Sequence, residues 1–516
     1  TKAEYIKRIF PKLLGTFVII IAAYAVNNTF REVYGKNVSF SGGDLGLLAI
    51  IVILIMSLYQ PLTKAVIGWF GKFKWTQYIP ISLTVLSLLG ILVLGVFNQG
   101  GSKGDSVRLF YSLILLAILF LLLSISYSKI VLKLKKYFGG PLIVFLVFGI
   151  FITYLVLVYN PQALKIITPL SIVMICVVGI YTLLNIIKFI GFKSNMPWLT
   201  ITILAAIVLA KWTASKEDFS HYDASSTDLK IKPADRLSLE RYVEQWVSDR
   251  KVDIQTATKE KKFPIILVSA EGGGSRAGLW SFLVQSYLYN RNSEYFEKYM
   301  FSATGASGGG VGNNMFYTQV YNLQNSKSKV PLKYETLQED KLKYRASKIY
   351  SEDYLSTSVA SIMGRDLFKS ITNLFTFKDR GALLENEWED SFKSTFEYEN
   401  ESPLAETYLD IMPKLNASDY IIPLLVTNTT HLQSGEYAVI SPVCTLEDKN
   451  NMNVFEDILA VYPSDSKMIK RSTAMSLNAR FPYVSPAARI KHIGQFGDAG
   501  YYDNIGGTVT RRLKKA

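Results

Sequence analysis

Apolar stretches recur seven times within the first 212 residues, and nothing else in the chain restricts its fold as strongly. A hydrocarbon core about 30 Å thick is crossed by about 20 mostly apolar helical residues. The segments 13–26, 45–59, 78–97, 109–127, 141–159, 166–187 and 198–212 fit that pattern, with polar or glycine-rich breaks between them. They predict an α-helical transmembrane bundle over 1–212. The remainder carries different signals and predicts a separate α/β domain.

The charge distribution agrees with this division. Residues 1–212 hold 19 Lys+Arg against 4 Asp+Glu, so the net charge of +14 belongs to them and the rest of the chain is close to neutral. A nucleic-acid partner would need its basic cluster on a folded soluble face, and none is expected. Lys and Arg instead gather on alternate connections, at 2–12, 64–74, 129–136 and 188–193, while the intervening ones hold Arg31, Lys36, Lys103, Arg108 and Lys165. By the positive-inside tendency the chain is expected to be integral to the cell (inner) membrane with its N-terminus in the cytoplasm. Seven spans then put the C-terminal domain outside; reading 198–212 as an interfacial helix would leave six and a cytoplasmic domain. No span carries Asp, Glu or Arg near its middle, the usual mark of an ion or proton pathway, so anchoring is favoured over transport.

Two cysteines, Cys176 and Cys444, are too few for a disulfide framework. Three histidines, His221, His431 and His492, lack zinc-ligand spacing. Neither a metal nor a cofactor is expected, and the sequence carries no signal for an oligomeric state.

Residues 213–240 are polar and aperiodic and read as a linker to a domain over 241–516. Leu239, Val243, Trp246 and Val247 fall at helical spacing, an amphipathic helix expected to pack on that domain, with a place on the bilayer as the other reading. Ile265-Ile266-Leu267-Val268 is the short continuous apolar run of a buried parallel strand. Gly272-Gly273-Gly274 follow, then a helical stretch over 279–289, then an apolar segment over 299–303 that runs into Gly305-Ala306-Ser307-Gly308-Gly309. The whole has the length of a β-α-β unit, about 30 residues or more. Its parallel strands end on one edge of the sheet, so the glycine loop and Ser307 should emerge side by side where α/β folds bind ligands.

In G-x-S-x-G the serine takes a strained strand-to-helix turn that needs small neighbours, and Gly305 and Gly309 supply them. Ser307 is therefore the candidate nucleophile. The N–H groups of Gly272, Gly273 and Gly274, unhindered by side chains, are the candidate oxyanion hole, in which one donor is worth about 3 kcal/mol of barrier. Gly272-x-Gly274-x-x-Ala277 also fits a dinucleotide fingerprint. No acidic residue closes the following strand, however, and the Gly-Lys-Ser/Thr of a phosphate loop is missing. For the base, His431 and His492 have no recognisable context. Asp498, in Phe496-Gly497-Asp498-Ala499-Gly500, is the better candidate, with an ordinary turn aspartate as the other reading.

These motifs, in this order, resemble those of patatin-like phospholipases. Glu271-Gly272-Gly273-Gly274-Ser275-Arg276-Ala277-Gly278 stands where that family has D-G-G-G-x-R-G, and Asp498-Ala499-Gly500 matches D-G/A-G. Asp379-Arg380-Gly381, Leu384-Glu385, the stretches 423–442 and 472–486, and Asn504 look familiar too, so the resemblance runs from Phe263 to the end. Two departures stand out: Glu271 replaces the common Asp, and an extra residue separates Arg276 from Gly278. The resemblance implies a three-layer α/β acyl hydrolase without a cofactor, in which a Ser307–Asp498 dyad cleaves acyl esters of lipids. In it Gly272 to Gly274 hold the oxyanion, and Arg276, Gly305 and Gly309 support the site. For the whole chain the expectation is a membrane-anchored phospholipase A or lysophospholipase whose partners are a membrane lipid substrate and the bilayer. Two other readings stay open: a non-catalytic lipid-binding or transport protein with the same domain, and a hydrolase of non-lipid esters or thioesters. The pocket that decides between substrates is expected within 317–416.

Overall fold

Apart from isolated positions upstream, the computed structural model describes residues 140–164, 169–213, 222–324, 341–372, 379–411, 423–444 and 456–515, with short gaps inside these ranges. The chain divides into two compact units, Thr1–Gly149 and Ile150–Ala516, and the second carries the whole α/β part.

Three apolar helices, α1 (Gly140–Tyr159), α2 (Pro169–Ser194) and α3 (Trp198–Thr213), precede the α/β part. Among the described residues no helix is long and apolar enough to cross a membrane. This corrects the transmembrane bundle expected at 141–159, 166–187 and 198–212, and with it the integral inner-membrane placement, the cytoplasmic N-terminus and the outward domain. The spans expected between 13 and 127 lie outside the described residues. The physical reasons are local. Helix α3 has 16 residues, about 24 Å at 1.5 Å per residue and short of a hydrocarbon core of about 30 Å. In α2, Asn185, Lys188 and Lys193 interrupt the apolar run. On α1, Tyr154 and Leu157 are fully buried together with Ile172 and Cys176 of α2 and with Ala360 from the α/β part, and Tyr154 Oη donates to Met363 O at 3.1 Å. A hydropathy window counts apolar residues without registering that a protein surface takes some of them up.

The stretch that reads as a linker contributes two short strands, β1 (Tyr222–Asp223) and β2 (Ser226–Asp228), too brief to show a period. The other strands are β3 (Ile266–Ala270), β4 (Met300–Gly305), β5 (Leu424–His431), β6 (Tyr437–Ile440), β7 (Glu456–Asp457), β8 (Lys467–Ile469), β9 (Ala488–Ile490) and β10 (Gly494–Gly497). Eight strands form one mixed sheet in the order β1-β9-β10-β5-β4-β3, with β6 on β5 and β7 on β6, while β2 and β8 pair separately. The helices around it include α4 (Leu239–Asp249), α5 (Gly274–Arg291), α6 (Ser307–Gln324), α7 (Lys341–Ser351), α8 (Leu355–Met363), α9 (Arg380–Thr395), α10 (Arg471–Asn478) and α11 (Gly507–Leu513).

Strand side chains alternate between two cores, as a period of two requires. On β5, Leu425 joins residues of α5, α6 and α9, whereas Leu424 and Val426 join Tyr242 and Trp246 of α4 and Val509 and Leu513 of α11. On β6, Ala438 and Ile440 belong to the first core and Tyr437 and Val439 to the second. The result is a mixed α/β fold with helices on both faces of the sheet. Helix α4 is the amphipathic helix expected near Leu239, and it packs on the domain through Tyr242 and Trp246. Trp246 Nε1 donates to Met300 O at 3.2 Å, while Val247 turns outward.

Candidate active site

Strand β5 brings two strand ends together on one of its edges. Gly305, the last residue of β4, pairs with Thr427, and Gly497, the last of β10, pairs with Thr430. Strand β6 occupies the opposite edge of β5 over the same residues. Because β4 runs parallel to β5 and β10 antiparallel, the two converge, and their ends stand about 10 Å apart at 3.3 Å per residue. The chain leaving one end carries Ser307 and the chain leaving the other carries Asp498. That is why residues so distant in sequence meet.

Ser307 opens α6 with a φ of 48°, a left-handed conformation that costs a non-glycine residue about 1–3 kcal/mol. Close backbone packing enforces the turn. A Cβ on Gly308 would lie 1.8 Å from Gly274 O, one on Gly309 2.4 Å from Glu271 O, and one on Gly305 2.9 Å from Gly310 N. The nucleophile turn and the glycine loop therefore pack backbone against backbone, side by side as the β-α-β unit predicts. Of these glycines the most confined, Gly308, was not singled out by the G-x-S-x-G spacing.

Gly272 sits next to the serine: a Cβ there would be 3.1 Å from Ser307 Cβ and 2.3 Å from Asn504 Oδ1. Its N–H donates to Asn504 O at 2.8 Å, so this residue anchors the loop. Gly274 opens α5 at a φ of 63°, and the first N–H groups of a helix have no acceptor within it. Asp503 holds the segment around Asn504, accepting from Ile505 N at 3.0 Å, Gly506 N at 3.1 Å and Thr508 N at 2.7 Å. Arg276 is exposed on α5 and does not line the cavity at Ser307.

The Asp498 side chain is buried, and its Oδ1 accepts from Gly500 N at 2.7 Å. Burial pushes the carboxyl above the ordinary aspartate range, against the opposing pull of the Gly500 N–H and the Ser307 hydroxyl. Ser307 thus lies near enough to act on the carboxyl, although Oδ2 has no partner at full hydrogen-bond geometry. A carboxylate made more basic by burial is better suited to accept a proton near neutral pH.

Sequence reasoning missed the polar side chains that hold both strand ends on β5. Asn428 Nδ2 donates to Thr304 Oγ1 at 2.6 Å and Gly305 O at 3.2 Å, and Asn478 Nδ2 to Gly305 O at 2.9 Å and Asn428 O at 2.7 Å. Thr429 Oγ1 donates to Gly497 O at 2.7 Å and Thr430 Oγ1 to Asp498 O at 3.0 Å. The available signal was the polar run Thr427-Asn428-Thr429-Thr430 directly after the apolar Leu424-Leu425-Val426. Behind Asp498, its N–H donates to Arg480 O at 3.1 Å, and the buried Arg480 guanidinium pairs with Glu385 at 3.2 Å. Asp379 caps α9 through Gly381 N and Ala382 N, and burial pushes its carboxyl up to about 6. The segments around Asp379–Glu385 and Ser472–Pro486 therefore brace Asp498 from behind. Neither His431 nor His492 lines the site.

Ser307, Asp498 and the three glycines open onto a cavity of about 800 Å³. Val311, Leu384, Trp388, Phe481 and Val484 give it an apolar lining, and residues between Tyr350 and Ser358 add a polar one. Two of these stretches come from within 317–416, where the pocket was expected. Compared with known proteins, the chain matches no family model, no curated protein and no solved structure, so its function is read from the site itself.

Proposed function

We propose that the α/β part is a serine acyl hydrolase acting on acyl esters of lipids, of the phospholipase A or lysophospholipase type. One observation carries this reading: Ser307, in a strained turn, converges with a buried carboxyl at a cavity with a largely apolar lining. Ser307 Oγ attacks the ester carbonyl while Asp498 takes its proton. The developing oxyanion is met by the N–H groups of Gly273 and Gly274, with the N-terminus of α6 adding its positive end. Asp498 returns the proton to the departing alcohol, and water, activated by the same carboxylate, releases the fatty acid from Ser307.

A fluorophosphonate probe on the full chain in detergent, together with fatty-acid release from defined phospholipids, tests it. Wild type should be labelled and should release fatty acid; Ser307→Ala should lose labelling and about 10³-fold or more of turnover. Equal turnover in both would sink the assignment. Phospholipid bound by both without release would make the domain a lipid-binding module.

A further inference from the structure

Beneath the apolar lining, the cavity has an uneven charge. Among the described residues its lining holds Glu352, Asp353 and Asp498 and no lysine, arginine or histidine. Two of the three carboxyls are already engaged. Asp498 faces Ser307, and Asp353 caps α8, accepting from Leu355 N at 3.0 Å and Ser356 N at 2.8 Å. Glu352 differs from both. It is exposed in the segment that also presents Tyr350, Tyr354, Leu355 and Ser358 to the cavity, and no described residue pairs with its side chain. The Tyr350 hydroxyl in the same segment is buried against Gly278 without a hydrogen-bond partner. A cation does reach the cavity's rim: the Arg380 guanidinium donates to Val484 O, but it is ion-paired with Asp366 at 2.5 Å.

We propose that this site selects acyl esters whose alcohol portion carries a positive charge, with Glu352 as the counter-charge that determines the preference. The inference rests on the hydrolase reading of the same cavity. An acyl chain belongs against Val311, Leu384, Trp388, Phe481 and Val484, where no polar group would be desolvated without compensation. The alcohol portion then falls to the Tyr350–Ser358 side, the part of the lining with hydroxyls and carboxylates. An ammonium there gains attraction to Glu352, whereas an anionic head finds no counter-ion among the described lining residues. Glu352 is exposed, so solvent and salt attenuate the effect, and it amounts to roughly threefold to tenfold at low ionic strength.

The test compares the choline ester of a fatty acid with its uncharged isostere, the 3,3-dimethylbutyl ester of the same acid, using the full chain in non-ionic detergent. The ratio of the two kcat/KM values is internal to each preparation and does not depend on how much of a variant folds. Wild type should favour the choline ester by roughly threefold to tenfold at low salt, with the ratio falling toward one near 1 M salt, where the Debye length is about 3 Å. Glu352→Gln should bring the ratio toward one at all salt concentrations. A wild-type ratio at or below one overturns the proposal, as does an unchanged ratio in Glu352→Gln. Loss of both activities in Ser307→Ala shows that the ratio reports on this site. If wild type cleaves neither ester and is indistinguishable from Ser307→Ala, the hydrolase reading falls and this preference falls with it.

Discussion

Helices α1 to α3 and the β3-α5-β4-α6 unit are both rich in apolar residues, yet they end in different surroundings. On α3, Ile207 is 58 %, Val208 65 % and Trp212 70 % exposed. On α6, every residue from Gly308 to Asn322 is buried. Apolar composition is therefore a demand for cover and does not name the cover. In the β-α-β unit the partner is specified atom by atom, by glycines that touch backbone and by strands whose register is pinned on β5. Among the described residues of α1 to α3, the fully buried apolar side chains gather on the face bearing Tyr154, Leu157, Ile172 and Cys176, and a helix that is apolar all round has no other preferred face.

The sharpest way to break this contrast is one methyl group at Gly308. In the nucleophile turn it would meet Gly274 O, C and Cα at 1.8, 2.6 and 2.9 Å, and backbone on both sides leaves no flexible side chain to yield. Gly308→Ala should therefore displace Ser307 from the loop, and a shift of about 1 Å at a reacting group costs roughly 10²-fold in rate. The measurement is kcat/KM for ester hydrolysis beside a urea midpoint, since overpacking also destabilises by about 1–3 kcal/mol. Near-wild-type activity would mean that the loop and the turn are not held by this contact.

The same contrast explains what could be read from the sequence. The β-α-β unit was legible because its strands, loop and turn are consecutive, and short apolar runs ending in glycine have few alternative uses. Its limits fell close to the observed Ile266–Ala270 and Met300–Gly305. As a base for Ser307, Asp498 was legible in its glycine-flanked turn only beside the reading as an ordinary turn aspartate, and the resemblance favoured the dyad. That pairing depends on β10 and β4 meeting along β5, a relation between residues far apart that no local period encodes. The glycine loop was legible in the sequence, but not that Gly272 would spend its N–H on Asn504 O. The membrane bundle failed, for the described helices, because hydropathy cannot see Ala360 and Met363 arriving from the α/β part to cover α1 and α2.

Between the two faces of α1 to α3 a smaller difference is expected. Leu157 is fully buried in a satellite cluster of few members, so Leu157→Ala should cost about 2 kcal/mol, the lower end for leucine truncation. Ile207 packs outward, and Ile207→Ala should change stability by no more than about 0.5 kcal/mol. Urea unfolding of the two variants in one detergent compares them directly. Equal losses would mean that the outer face of α3 is covered in solution, and the contrast between the two regions would then disappear.

Acidification separates the regions most gently, because α1 to α3 contain no Asp, Glu or His and every proton taken up must act on the rest of the chain. Burial raises Asp498, and protonated Asp498 cannot accept the Ser307 proton. As pH falls through that raised value, kcat/KM should drop about tenfold per pH unit, starting above the ordinary aspartate value of about 3.9. The effect on stability has the opposite sign. Asp379, raised by burial to about 6, binds its proton more tightly folded than unfolded. Its stabilising contribution is complete below the unfolded value and is lost as pH rises through about 6. Asp498 contributes in the same direction. Asp503, held low by the Thr508, Ile505 and Gly506 N–H groups, destabilises on acidification only below the ordinary aspartate range. As pH falls toward the ordinary aspartate value, activity should therefore fall while the carboxyls at Asp379 and Asp498 favour the fold. Measuring kcat/KM and the urea midpoint at matched pH values checks both signs. An activity that stays flat to about pH 4, or one that falls only where the midpoint collapses, would remove Asp498 from the role of base.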